Sequence, residues 1–380
     1  MPLQDFFFTI QLNNIDRALI IASGLFILIS WLYFFLVFLK VKNSIPPIRN
    51  QALPGISLII AARDAKRHLI DNIPLWLKQD YPEFEIIIAN DRSSDGSTLY
   101  LTEQSNLHPK LKIVQLDIDI VKTGGKKLAL TLAIKKAKFH HFIFTDADCK
   151  PASDQWLRGM VNGYIQGNEI VLGVSPMVTG NGFLGRLIQF ENVLTALSYL
   201  GFSLQNKTYM GVGRNLAYTR KAYDSVNGFS SHYHIPAGDD DLFVQEASLK
   251  NPTSIYIHQE AFTFSDGPKT WKGYWKQKQR HLWVGKNYLS AVKFQLFWFP
   301  FSQFAFYGIL LWWMILSKTW FIPILLLIIK WIPEWIIFGI KAKLLHMPKA
   351  TPIFPILSIF QAFWYLTTGI FAFFKKKITW

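Results

Sequence analysis

Carboxylates at three places and a run of amides and cations at a fourth carry the reactive potential of this sequence: Asp91, Asp146-Ala147-Asp148, Asp239-Asp240-Asp241, and Gln277-Lys278-Gln279-Arg280. Two carboxylates two residues apart at a strand end can converge on one divalent cation. Hard oxygen ligands favour Mg2+ or Mn2+, which also accept phosphate oxygens in their shell. Alone, such a triplet fits a solvated turn equally well. Asp91 lies in Asn90-Asp91-Arg92-Ser93-Ser94-Asp95-Gly96-Ser97, a run of turn formers in which Ser97 can cap the next helix. Asp91 itself, directly at a strand end, is placed to accept a hydrogen bond from a base or ribose edge. Gly124-Gly125-Lys126 before a helix suits close approach to phosphate, or simply a basic surface turn. Together these residues suit the holding of a metal and a phosphorylated substrate.

The elements that must position them fall roughly between residues 52 and 270. Ile56–Ala61 and Glu85–Ala89 are apolar runs of strand length, as in strands buried on both faces. Leu69, Ile70, Ile73, Trp76 and Leu77 recur at helical spacing, and Gln79-Asp80-Tyr81-Pro82 ends that helix. A helix near Leu99–Gln104, a strand at Ile113–Leu116, a helix over Lys126–Ala137 and a strand at Phe142–Thr145 follow. This alternation predicts an α/β fold with an open, largely parallel sheet. Ligands gather beyond the carboxyl ends of such strands. Arg63 and Asp64 follow the first strand, Asp91 the second, Asp146 and Asp148 the fourth. Beyond Cys149 the pattern loosens. Phe183, Leu187, Phe190, Leu194 and Leu197 mark an amphipathic helix expected along a membrane surface, and Trp271, Tyr274, Trp275, Leu282 and Trp283 mark another.

Membrane-length apolar segments bracket this polar region in a chain of 380 residues, 51% hydrophobic and 16% aromatic. After a segment of residues 1–17, Ala18–Leu39 carries no charge and can cross a hydrocarbon core of roughly 30 Å. Lys40 and Lys42 follow it and no small-residue cleavage site does, so it reads as a retained anchor. Further spans are expected over 294–316, 320–340 and 353–374. The middle one holds Lys330 and Glu334 on one helical face, where they can neutralise each other, and Pro323 and Pro333, which make a re-entrant segment the alternative. Basic residues beside the spans (Lys40, Lys42, Arg49, Lys341, Lys343, Lys349) place the polar domain on the cytoplasmic side, in the plasma or inner membrane. Lys375-Lys376-Lys377 conflicts with that rule if all three later segments cross. The net charge of +15 raises nucleic acid as a partner, but no nucleic-acid module is visible. Cys149 is the only cysteine, which excludes an intrachain disulfide and suits a reducing compartment.

The motifs A-A-R-D (61–64), Q-D-Y-P (79–82), N-D-R-S-S-D-G-S (90–97), G-K-K-L-A-L (125–130), D-A-D (146–148), G-x-G-R-N-L-A-Y-T-R-K (211–221), G-D-D-D-L (238–242) and Q-K-Q-R-H (277–281), in that order, resemble glycosyltransferase family 2 in its membrane-embedded branch. The resemblance implies a GT-A domain over residues 52–292, with interfacial helices, flanked by transmembrane helices. It also implies a nucleotide-diphospho-sugar donor, most commonly UDP-linked, transfer with inversion, and a lipid or glycan acceptor. Ala62, Asp64 and Asp91 would line the nucleotide pocket, with Lys126 near the diphosphate. Asp146 and Asp148 would hold the donor and its metal, Asp148 as the more direct ligand, and Asn215 would shape the sugar pocket. Arg280 would grip the pyrophosphate as a charged fork, with Gln277 beside it towards the acceptor.

Inversion needs a carboxylate base opposite the leaving diphosphate. Counting back from Leu242 makes this Asp239, whereas reading the motif from the left makes it Asp240. His281 stands where the family pattern has a Trp that stacks on an acceptor sugar. That departure weighs against processive polymer synthesis, which remains an alternative. A non-catalytic scaffold or a transporter with a transferase-like insert is the alternative of another class.

Overall fold

The computed structural model describes residues 13–46, 53–116, 125–165, 167–316 and 320–374. Arg49, Gly124, Lys375–Lys377 and most of the N-terminal segment lie outside them. The first helix, α1 (Asn14–Tyr33), is capped by Asn13, whose side chain accepts from Asp16 N at 2.7 Å, and it closes in a π-helical turn over Phe34–Phe38. The polar domain then alternates β1 (Ile56–Ala62), α2 (Lys66–Leu77), β2 (Phe84–Asp91), α3 (Ser97–Leu107), β3 (Leu111–Leu116), α4 (Lys126–Lys136) and β4 (His141–Asp146). Short elements follow: β5 (Lys150–Pro151), α5 (Trp156–Asn162), β6 (Ile170–Leu172) and β7 (Met177–Val178), then the long α6 (Phe183–Ser203). After β8 (Leu216–Thr219), α7 (Arg220–Ser225), α8 (Asp241–Ala247), β9 (Thr253–Ile255) and β10 (Thr263–Asp266), α9 (Trp271–Gly285) leads back to the apolar helices α10 (Ser290–Leu316), α11 (Phe321–Leu344) and α12 (Phe354–Phe374).

The main sheet runs β3-β2-β1-β4-β8-β6-β9, and its first four strands are mutually parallel. β8 lies antiparallel to both β4 and β6, and a small sheet β5-β10-β7 adjoins. All of β2 is buried, because both faces are covered. Side chains alternate across the sheet. Leu58, Ile60, Ile86 and Ile88 pack on Leu69, Ile73 and Trp76 of α2 and on Trp156 and Met160 of α5. Ile59, Ile87, Ala89 and Phe144 face Ala129, Leu130 and Ala133 of α4, in a core continuous with α6 and the apolar helices.

Two expectations need correction. Most of α6 is buried, with Phe190 packed on Phe338 of α11 and Phe354 of α12, so it is a wedge between domain and apolar bundle rather than a surface-lying helix. Residues 321–344 form one uninterrupted helix through Pro333, so the prolines do not make a re-entrant break. Among the described residues, four helices are long and apolar enough to cross a membrane. Inside their bundle Lys330 Nζ meets Glu334 Oε2 at 2.6 Å and Gln303 Oε1 at 2.8 Å, while Glu334 Oε1 accepts from Ser30 Oγ at 2.6 Å. Gln303 Nε2 in turn donates to Ser30 Oγ at 2.7 Å, so the buried charges are paired and hydrogen-bonded across three helices.

Candidate active site

Strand register brings the first carboxylates together. β1 lies between β2 and β4, with Ala62 opposite Asn90 and Ala61 opposite Asp146. Adjacent strands are roughly 4.8 Å apart, so the ends of β2 and β4 stand about 10 Å from each other across Ala62. Asp91 is buried: its Oδ1 accepts from Arg92 Nε at 2.7 Å, and its Oδ2 has no hydrogen-bond partner among the described residues. A buried acceptor left open is costly, and a ligand N–H or O–H would satisfy it. Asp64 adopts φ 48°, in the left-handed region that few non-glycine residues occupy. It is held there because its Oδ1 accepts from Ser94 N at 2.7 Å while its own N–H donates to Ser93 Oγ at 2.9 Å. These bonds strap the loops after β1 and β2 into one rim. The cap expected from Ser97 comes from Asp95 instead, which accepts from Lys66 N at 2.8 Å and from Ser97 N at 3.0 Å.

Lys126 opens α4 and joins the two acidic groups. Its Nζ lies 2.8 Å from Asp146 Oδ1 and 2.9 Å from Asp239 Oδ2. Burial alone would push this ammonium down, but Asp146, Asp239 and Asp240 hold it well above the ordinary lysine range. Burial would likewise raise Asp146, yet Lys126, then Arg214 and Arg280, keep it below the usual carboxylate range.

The three consecutive aspartates differ in circumstance. Both oxygens of Asp240 are engaged, Oδ2 by Gly213 N at 2.9 Å and Oδ1 by Asp241 N at 2.8 Å, the latter capping α8. Asp241 accepts from Tyr288 OH and from Leu242 N, each at 2.8 Å. Burial, then the neighbouring carboxylate, push both upward, Asp241 to about 7. Asp239 faces Lys126. Gly238 makes the run possible: its φ is +88°, and an added Cβ would lie 2.6 Å from Leu242.

Carboxylates of Asp146 and Asp148 and the Cys149 thiol offer ligand atoms all within 4.8 Å of one another. Burial, then the two aspartates, push the thiol well above its ordinary value. The two carboxylates are an oxygen donor set that fits a hard divalent cation.

One cavity of ≈ 1500 Å³ is lined by Ala62, Asp64, Asp91, Lys126, Asp146 and Asp148 together with Asp239, Asp240, Gln277 and Arg280. Asn215 does not line it. Its amide is buried and spent, donating to Val174 O and Ala261 O at 2.8 Å each and accepting from Trp156 Nε1 at 3.0 Å. It fixes the backbone behind the wall rather than touching a ligand there.

Residues 57–226 match the family model described as Glycosyl transferase family 2, and residues 146–370 match Glycosyl transferase family group 2. The chain belongs to glycosyltransferase family 2. Its enzyme class sets aside the scaffold and transporter alternatives. This family 2 glycosyltransferase is 24% identical to a poly-beta-1,6-N-acetyl-D-glucosamine synthase of Staphylococcus epidermidis over 75% of its own length and 70% of the relative's. It is also 24% identical to the probable glycosyltransferase YdaM of Bacillus subtilis, over 71% and 68% of the two chains. The mannosyltransferase PcManGT of Pyrobaculum calidifontis, solved with GDP-Man and Mn2+, superimposes with a TM-score of 0.58 at 15% identity, covering 92% of this chain and 98% of that one. That likeness establishes the GT-A fold.

The transferase site includes residues without an assigned role in the sequence reading. Arg214, which donates to Ser265 Oγ at 2.6 Å, lines the cavity and was hidden inside a quoted motif. Glu191 of α6 accepts from Tyr274 OH and pairs with Lys278 Nζ, pinning the helix that carries Arg280. Only one cue was available: a Glu standing in the apolar spacing of α6.

Proposed function

We propose that the protein is a metal-dependent, inverting glycosyltransferase that moves a sugar from a nucleotide-diphospho-sugar, UDP-linked, to a lipid or glycan acceptor at the cytoplasmic membrane face. One observation carries the reading: Asp91, Asp146, Asp239 and Arg280, far apart in sequence, border the same cavity. Asp91 Oδ2 takes a base or ribose donor. Lys126 and Arg280 counter the charge growing on the departing diphosphate, where preorganised cations contribute most. Asp146 and Asp148 would hold Mg2+ or Mn2+, which supplies further charge neutralisation at that diphosphate. Asp239 accepts the acceptor hydroxyl's proton. Asp240 is the lesser choice for that role, since two backbone amides already occupy it.

A processive polysaccharide synthase is the second reading, supported by the naming of the staphylococcal relative. Labelled donor separates them: a ladder of products marks polymerisation and one addition marks single transfer.

The central test incubates purified protein in detergent with UDP-, GDP- and dTDP-sugars. Nucleotide release is expected with a UDP-sugar and Mg2+ or Mn2+, and is abolished by chelation. Asp239→Asn is expected to keep nucleotide binding while transfer falls on the order of 10²–10⁴-fold. Full turnover in Asp239→Asn would remove that residue from the mechanism.

A further inference from the structure

We propose that the acceptor is a lipid-linked sugar whose phosphate lies between its reacting hydroxyl and its tail, and that the part of the cavity beyond the acid cluster is its site. This rests on the transferase reading and deepens it. The cavity continues past Asp239–Asp241 to Lys286 and Lys293, then between α10 and α12. Carboxylate, ammonium and hydrocarbon thus follow one another along one wall.

The turn between α9 and α10 fixes that order. Tyr288 OH donates to Asp241 Oδ2 at 2.8 Å and Leu289 N donates to Gln245 Oε1 at 3.1 Å, tying the turn to the helix that follows the acid cluster. Lys286 caps the end of α9, and Lys293 lies in the first turn of α10. Beyond it Phe297, Pro300 and Phe304 line the cavity at steps of three and four, a single helical face. From Lys293 to Phe304 that face rises about 16 Å, long enough for a hydrocarbon chain as well as a headgroup. Ala362, Leu366 and Gly369 of α12 form the opposite wall at the same spacing.

This lobe is open. Phe297 and Leu366 are 50% and 42% exposed, on helices of membrane-spanning length. A Cβ added at Gly369 would meet nothing within 4 Å. A lipid tail matches such walls, whereas a soluble glycan would leave them uncovered. The two ammonium groups suit a phosphate one step short of the carboxylates. With the phosphate there, the sugar hydroxyl reaches Asp239. Its oxygen bonds to the donor's anomeric carbon as the bond to the nucleotide diphosphate breaks. The electron pair leaves with the diphosphate, the proton goes to Asp239, and the acceptor's phosphate keeps its bonds.

The test gives the full chain in detergent three synthetic acceptors: an isoprenyl diphosphate-linked sugar, the same sugar joined directly to the isoprenyl alcohol, and the sugar phosphate without a tail. The first is expected to be used best, with KM at least tenfold higher for each of the others. Lys293→Gln should bring the KM values of the first two together. Gly369→Leu should raise KM for both tailed acceptors and spare the tailless one. Equal kcat/KM for tailed and tailless acceptors on the unaltered protein overturns the proposal, as does an undiminished phosphate preference in Lys293→Gln. Nucleotide release measured with all three acceptors present keeps the two readings apart. Its absence with every donor tested sinks the transferase mechanism, whereas release with tail-blind transfer sinks only the acceptor assignment.

Discussion

Because Asp240 spends both carboxylate oxygens on the amides of Gly213 and Asp241 while Asp239 faces Lys126, the two neighbours should fail differently when altered. An Asn at 240 replaces one accepting oxygen with an amide group that cannot accept from a backbone N–H. Leaving one such donor unmatched costs about 1–3 kcal/mol. Asp240→Asn is therefore expected to lower the thermal midpoint in detergent more than it lowers transfer, with Asp239→Asn showing the reverse. Both quantities measured on one preparation decide it, and the opposite pattern would move the base to Asp240. At this scale the motifs told which residues belong together but not which aspartate is held by backbone amides and which faces a lysine. That choice depends on the Gly213 amide, which comes from a different motif. The same limit explains Asn215: its position in a motif gave no sign that three distant groups consume its side chain.

Glu85 shows what an element can hide. It sits in the fully buried β2, where Oε1 accepts from Ser57 Oγ and Lys138 N, each at 2.6 Å, and Oε2 meets Lys112 Nζ at 2.5 Å. Burial would raise its pKa, but Lys112, Ser57 and the Lys138 amide together hold it below the ordinary range of a glutamate. The folded value lies below the unfolded one, so this stabilisation is complete above the unfolded value and is lost as pH falls through the folded value. Thermal midpoints read between about pH 6 and pH 3 should fall more steeply for the unaltered protein than for Glu85→Gln. Parallel slopes would mean that Glu85 contributes nothing to acid sensitivity. β1, β2 and β4 were legible as largely buried apolar runs, and the half-exposed β3 by its place between two helices. β6 to β10 were not, because strands of two to four residues are too short for a period of two to appear. α6 showed its apolar stripe, but a stripe does not reveal whether lipid or protein covers it.

For the whole molecule, composition exposed the apolar helices, while their packing against α6 and α9 required the folded chain. If the domain side is cytoplasmic, a cysteine introduced at Lys272, exposed near the start of α9, should react with a membrane-impermeant maleimide only after permeabilisation. One at Arg17, exposed at the far end of α1, should react in intact cells. Cys149 is buried and leaves little background. Reversed labelling would invert the orientation. The four-residue polar network among α1, α10 and α11 bears on biogenesis as well. Lys330 and Glu334 stand one helical turn apart, so α11 enters the bilayer already carrying its own counter-ion. Ser30, made some three hundred residues earlier, has no charge to shelter while it waits. Threading of the helices during synthesis is thereby freed from any dependence on a distant mate, and only the final closure of the bundle requires all three to be present.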